Sequence, residues 1–250
     1  MYGRGYQTIR FGPPVTPNVI KQLLIANLAV FVGQRLLPDL GPLGAVTPYL
    51  FWRQGYLWQP FTYMFLHAGL MHIAFNMLAL WMFGSPLALL WGERKFLRFY
   101  LLCGFGAGLI IVGWPEIPVL FGVGLPGTYM LPTLGASGAV FGVLLGYSLT
   151  WPDRTIMLLF PPIPIKAIYF IPVIFFLSLL GPQNVSHVGH LGGILVGWVL
   201  LRRMGITGGI TLKSLQYRWR RYRMRRKLRA VQMDELRSRR RPDEDHRTFH

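Results

Sequence analysis

Four residues of this sequence have the types and the setting for acyl-transfer chemistry: Ser137, His190, His72 and Asn76. A serine hydroxyl attacks well only when a base takes its proton, and histidine titrates near neutrality, so a Ser–His pair is a minimal hydrolytic engine. Acyl transfer also needs donors aimed at the developing oxyanion. His72 and Asn76, spaced i and i+4, would face the same way on a helix and supply them from side chains. The backbone N–H of Ser137 adds another if a helix begins there. All nine acids (Asp39, Glu93, Glu116, Asp153, Asp234, Glu235, Asp243, Glu244 and Asp245) lie outside the long apolar segments. No carboxylate is therefore at hand for a triad or an aspartyl dyad. His-Glu-x-x-His is absent, and the single Cys103 excludes an intramolecular disulfide and a thiolate metal cage. His187 and His190, with His67 and His72 on other segments, could be assembled as a zinc site, but the preferred reading has no metal and no cofactor.

The elements that must position these residues are membrane helices. Of 250 residues 52% are hydrophobic and only 14% charged, against roughly 25% charged in soluble domains. The net charge of +17 is segregated, since residues from Arg202 to His250 hold 16 of the 26 basic side chains. A helix of about 20 apolar residues crosses a bilayer core about 30 Å thick. The pattern predicts an all-α membrane protein with six spans, at about 19–37, 70–90, 99–114, 134–151, 166–180 and 186–203. The fifth and sixth are separated by the turn signal Gly181-Pro182-Gln183-Asn184. Residues 1–17 then form a cytoplasmic N-terminal segment without a cleavable signal peptide, 18–203 the membrane domain, and 204–250 a basic cytoplasmic tail. Arg4, Arg10, Arg94, Lys95, Arg98, Arg154, Lys166 and the tail fall on one side of that topology. Arg35 and Arg53 fall on the other, which places both termini in the cytoplasm.

In this arrangement the second, fourth and sixth spans all start at the outer surface, so His72, Ser137 and His190 share one depth. Gly138, Gly142 and Gly146 recur every fourth residue in the fourth span; Gly189, Gly193 and Gly197 do so in the sixth. Such stripes let helix backbones approach closely and would bring Ser137 to His190. Between Pro38 and Gly69 the chain carries eight aromatic residues, including Trp52, Tyr56, Trp58 and Tyr63. That composition suits a structured element half-embedded in the outer leaflet.

Three motifs in this order resemble the rhomboid family of intramembrane serine proteases. They are His67-Ala68-Gly69-Leu70-Met71-His72 followed by Asn76, then Gly135-Ala136-Ser137-Gly138, then His190 followed by Gly193 and Gly197. The resemblance covers roughly Trp58 to Gly197 and implies a six-helix rhomboid-like bundle. It implies Ser137 as nucleophile, His190 as general base, and His72 and Asn76 with Ser137 as oxyanion ligands. Gly135, Gly138, Phe141 and Trp58 take substrate or packing roles around them. It further implies that transmembrane protein substrates are cut near their outer ends, that the aromatic segment is a partly embedded first loop, and that the fifth span is a lateral gate. Two positions depart from a common family pattern: Gln59 stands where many members have arginine, and Phe141 where many have tyrosine.

The tail from Tyr217 to Arg229 interleaves Arg and Lys with Tyr, Trp, Met and Leu, which suits a helix on an anionic leaflet. Anionic lipid is the partner expected there, and no nucleic acid is expected. The reading is a multi-pass integral membrane protein of the bacterial cytoplasmic membrane. Two other classes compete with a protease: an inert relative that retains membrane clients, and a transporter with a polar central site. The first usually lacks Ser or His. The second commonly uses a membrane carboxylate.

Overall fold

The computed structural model describes residues 12–123, 127–158, 162–179, 186–206 and 223–224. The turn expected at Gly181–Asn184, most of the N-terminal segment and nearly all of the basic tail lie outside the described residues. The chain divides into a unit ending at Ile206 and a second unit, Thr207–His250. All that follows concerns the first.

Helices run α1 (Asn18–Leu36), α2 (Leu40–Gly44), α3 (Pro48–Gln54) and α4 (Gln59–Thr62), then, after a 3₁₀ turn at Tyr63–Phe65, α5 (Leu70–Ala79). A π-helical turn at Leu80–Gly84 joins α5 to α6 (Ser85–Trp91) without a break in the rod. There follow α7 (Glu93–Gly113), α8 (Glu116–Leu120), α9 (Ser137–Thr150), α10 (Ala167–Leu179) and α11 (His187–Arg203). A two-stranded antiparallel hairpin, β1 (Thr155–Met157) and β2 (Pro164–Lys166), joins α9 to α10, with Ile156 opposite Ile165. Asn18–Leu36, Leu70–Trp91 and Glu93–Gly113 are each long and apolar enough to cross a membrane; Ser137–Thr150 and Ala167–Leu179 are shorter apolar helices.

The third long helix begins at Glu93, six residues before the expected span. Glu93 has two reasons to be there. An acidic residue in the first turn complements the helix dipole, and its Oε2 accepts a 2.9 Å hydrogen bond from Val19 N–H at the start of α1. One carboxylate thus serves the amino ends of two helices.

At the centre is α9, apolar on every side and buried on nearly every side, as a helix enclosed by others should be. Around it pack α7, α10, α11 and the π turn. Glycine sets the distance to α11: a Cβ on Gly142 would lie 3.3 Å from the carbonyl oxygen of Gly193, and one on Gly197 would lie 3.1 Å from the Cα of Gly142. Small residues allow this approach where no hydrophobic force drives helices together. By contrast α1 keeps a broad apolar face uncovered, including Ile25, Leu28 and Leu36.

The aromatic segment before α5 is folded, not a free loop. Val46 and Thr133 exchange two backbone hydrogen bonds of 2.9 and 2.8 Å. Two indole N–H groups hold it, Trp52 donating to the Val112 carbonyl of α7 and Trp58 to the Leu43 carbonyl within the segment, each at 2.9 Å. Gln59, fully buried, accepts from Thr47 N–H at 3.1 Å and donates to the Leu43 carbonyl at 3.3 Å. The glutamine therefore ties the segment to itself as a neutral amide, with no buried charge to compensate.

Candidate active site

Ser137 opens α9, and His190 lies in the first turn of α11. Ser137 Oγ is 2.9 Å from His190 Nε2, the distance at which a hydroxyl donates to an imidazole. The donation requires the neutral ring to carry its proton on Nδ1. That nitrogen is buried and has no hydrogen-bond partner among the described residues. Among the described residues the pair thus has no acceptor behind it.

What orients the imidazole instead is packing. Phe141, one turn after Ser137, stacks on the ring with centroids 4.2 Å apart and planes 25° from parallel. Ser186 caps α11, its Oγ accepting from Gly189 N–H at 3.2 Å while its carbonyl accepts from His190 N–H at 3.2 Å. An N-cap serine satisfies one of the orphan donors of a helix start. The capped turn is the one that carries the histidine.

His72 and Asn76 approach from α5. Ala68 N–H donates to His72 Nδ1 at 3.4 Å, which leaves the proton of the neutral ring on Nε2. That nitrogen faces the backbone of Gly135, two residues before the serine: a Cβ on Gly135 would lie 2.8 Å from Nε2 and 2.7 Å from Cε1. Gly135 also holds φ +130°, a backbone conformation that side chains oppose. Both reasons require glycine there. Asn76 is buried, and one of its amide N–H groups donates to the His72 carbonyl at 2.9 Å. Its Nδ2 has a second hydrogen to offer.

Gly138 is a packing residue, since a Cβ there would come within 2.8 Å of the Ala107 Cβ and 3.0 Å of the Tyr63 hydroxyl. Trp58 belongs to the aromatic segment, half-exposed and stacked on Tyr56 at 4.7 Å. His187 is set apart from the serine–imidazole bond, its ring 6.4 Å from that of His190 and edge-on to Phe175. Among the described residues no group of three or more His, Cys, Asp or Glu is placed to hold a metal.

Sequence reasoning missed three supporting residues. Tyr63 is buried between α7 and α9; its carbonyl accepts from Gly135 N–H at 2.9 Å and its hydroxyl donates to the Gly104 carbonyl at 2.8 Å. Gln34, at the end of α1, accepts from His67 N–H at 3.0 Å and so fixes the turn that leads to His72. Ser186 is the third. Only Ser186 carried a local signal, a capping residue directly before a helical segment.

His67 packs edge-on to His72 at 5.1 Å and is 2% exposed. Burial foremost, and then the neighbouring His72 ring, lower its pKa to about 4, against an opposing pull from the Phe65 carbonyl. The ring stays neutral at physiological pH.

Residues 54–205 match the family model of the Rhomboid domain. The chain is 31% identical over 194 residues to Rhomboid protein 1, mitochondrial, of Saccharomyces cerevisiae, covering 73% of this chain and 53% of that protein. It is 30% identical to Rhomboid protease GluP of Bacillus subtilis, over 61% of this chain and 27% of the relative. To the presenilin-associated rhomboid-like protein, mitochondrial, of Mus musculus it is 31% identical, over 53% of this chain and 34% of the relative. The chain thus spans about half or less of the length of these relatives. The chain belongs to the rhomboid family and is an integral membrane protein.

Proposed function

We propose that this rhomboid-family chain is an intramembrane serine endopeptidase working through a Ser137–His190 dyad. The observation that carries the proposal is the 2.9 Å approach of Ser137 Oγ to His190 Nε2. As Oγ attacks the substrate carbonyl carbon, its proton passes to Nε2. The tetrahedral oxyanion is held by the Ser137 N–H at the start of α9, by His72 Nε2–H and by the Asn76 amide. Collapse expels the amine, which takes the proton back from His190. Water then enters, is deprotonated by the same imidazole, and releases the acyl group from Ser137. No metal, cofactor or nucleotide takes part.

The remaining topology belongs to the same proposal: six spans, both termini in the cytoplasm, residues 18–203 as the membrane domain, and the site opening outward. The substrates are transmembrane segments of other proteins. Relatives named for mitochondria weigh against the bacterial cytoplasmic membrane expected from sequence, so the proposal keeps membrane integration and leaves out the compartment. Anionic lipid at the basic tail is retained as a proposed contact.

An inert client-binding relative would have no use for an intact dyad, and both members remain. The deciding experiment is labelling with a fluorophosphonate, which reacts with an activated serine. Wild type should label and Ser137→Ala should not. An unlabelled wild type that is folded and binds membrane clients would replace the protease with the inert reading.

A further inference from the structure

We propose that an apolar groove along α11 binds an acyl chain of an anionic phospholipid whose phosphate rests on Arg202. The groove has a volume of about 440 Å³ and is lined by Ile110 of α7 and Trp114 just after it, Leu145 of α9, and Leu191, Leu195 and Trp198 of α11. Its size falls in the range of ligand clefts, roughly 300–1,000 Å³. From Val188 to Trp198 the floor runs ten residues of helix, ~15 Å, and its Trp198 end lies one helical turn from Arg202.

Charge at one end selects the lipid. The Arg202 guanidinium lies over the Trp198 ring, 4.8 Å from its centroid, and is thereby tied to the mouth of the groove. Stacking uses the face of the guanidinium and leaves its in-plane N–H donors, which match a phosphate in bidentate fashion. Arg203 follows it, both are exposed, and among the described residues neither has a carboxylate partner. A headgroup with uncompensated negative charge is favoured at such a site over one carrying its own ammonium. The site is separate from Ser137 and does not depend on the protease reading.

The test is native mass spectrometry of the full chain in a neutral detergent, titrated with phosphatidylglycerol or phosphatidylcholine. Wild type should retain one phosphatidylglycerol more tightly than phosphatidylcholine. Arg202→Gln should weaken the phosphatidylglycerol complex about fivefold, the effect of one basic residue at a membrane surface. Leu195→Trp, which fills the groove from an exposed position, should weaken both lipids; Leu191→Trp serves the same purpose if the first variant does not fold. Equal retention of the two lipids by wild type would overturn the proposal. So would loss of binding on neutralising Arg225 and Arg226 in the tail while Arg202→Gln has no effect. Unchanged lipid binding in the groove-filling variants would overturn it too, and a fall in their cleavage of a transmembrane substrate would then assign the groove to a protein helix.

Discussion

Gly193 of α11 lies against the backbone carbonyl of Gly138 of α9, with no room between them for a methyl group. This contact is one residue from Ser137 and three from His190, so the distance between the two helices there is also the distance between hydroxyl and imidazole. Gly193→Ala should part the helices. Overpacking against side chains costs ~1–3 kcal/mol, and the obstacle here is backbone, which yields less. We expect a lower thermal midpoint and loss of fluorophosphonate labelling. Gly113→Ala, where a Cβ meets nothing within 4 Å, should leave both unchanged. A fully labelled Gly193→Ala would mean that the glycine contact does not set the dyad.

The histidines near the serine should divide cleanly. His190→Ala should abolish cleavage and labelling, whereas His187→Ala, whose ring is 6.4 Å from that of His190, should retain both. The reverse pattern would identify the wrong base. Since His190 must be neutral to accept the proton, cleavage should also fall as the pH is lowered through its titration.

Phe141 stacks on the His190 ring, with centroids 4.2 Å apart. An aromatic pair contributes roughly 0.5–1.5 kcal/mol beyond its buried area. Phe141→Leu should lower kcat up to about tenfold with little change in KM, whereas Phe141→Tyr, which keeps the ring, should retain the wild-type kcat. Equal kcat in the leucine variant and wild type would show that the ring does not orient the imidazole.

Removal of one oxyanion donor in other acyl-transfer enzymes costs about 10²–10³ in rate. His72→Ala and Asn76→Ala should each slow cleavage by that order and leave a measurable residue, whereas Ser137→Ala should leave none. Wild-type rates in both donor variants would remove them from the mechanism.

His67 should make the fold acid-sensitive. Its pKa is near 4 in the folded protein and about 6.5 when unfolded, so between those values the unfolded chain binds the proton and the folded chain does not. Stability therefore rises with pH across that window, by up to about 3 kcal/mol in full. Thermal midpoints in neutral detergent should drop between pH 7 and pH 4.5, and by less in His67→Gln. An identical drop in wild type and variant would count against the burial of a neutral ring.

The sequence alone determined the apolar segments, their separation by charge, and the placement of every acid outside them. It also placed Ser137, His72 and His190 near the starts of their helices, because hydropathy and spacing are local properties that each stretch of chain carries whatever its neighbours do. Glycine spacing further indicated which helices could touch. Tertiary structure decided what depends on residues far apart in the chain. Serine and imidazole meet across 53 positions, and the turn before Ser137 hangs from the Tyr63 carbonyl. Gln59 proved to be a neutral tie within the aromatic segment, and Glu93 started its helix early because it also caps α1. None of these pairings has a periodicity or a composition to announce it. Each exists because burial leaves a polar group to be satisfied by whichever partner the packed backbone brings within about 3 Å.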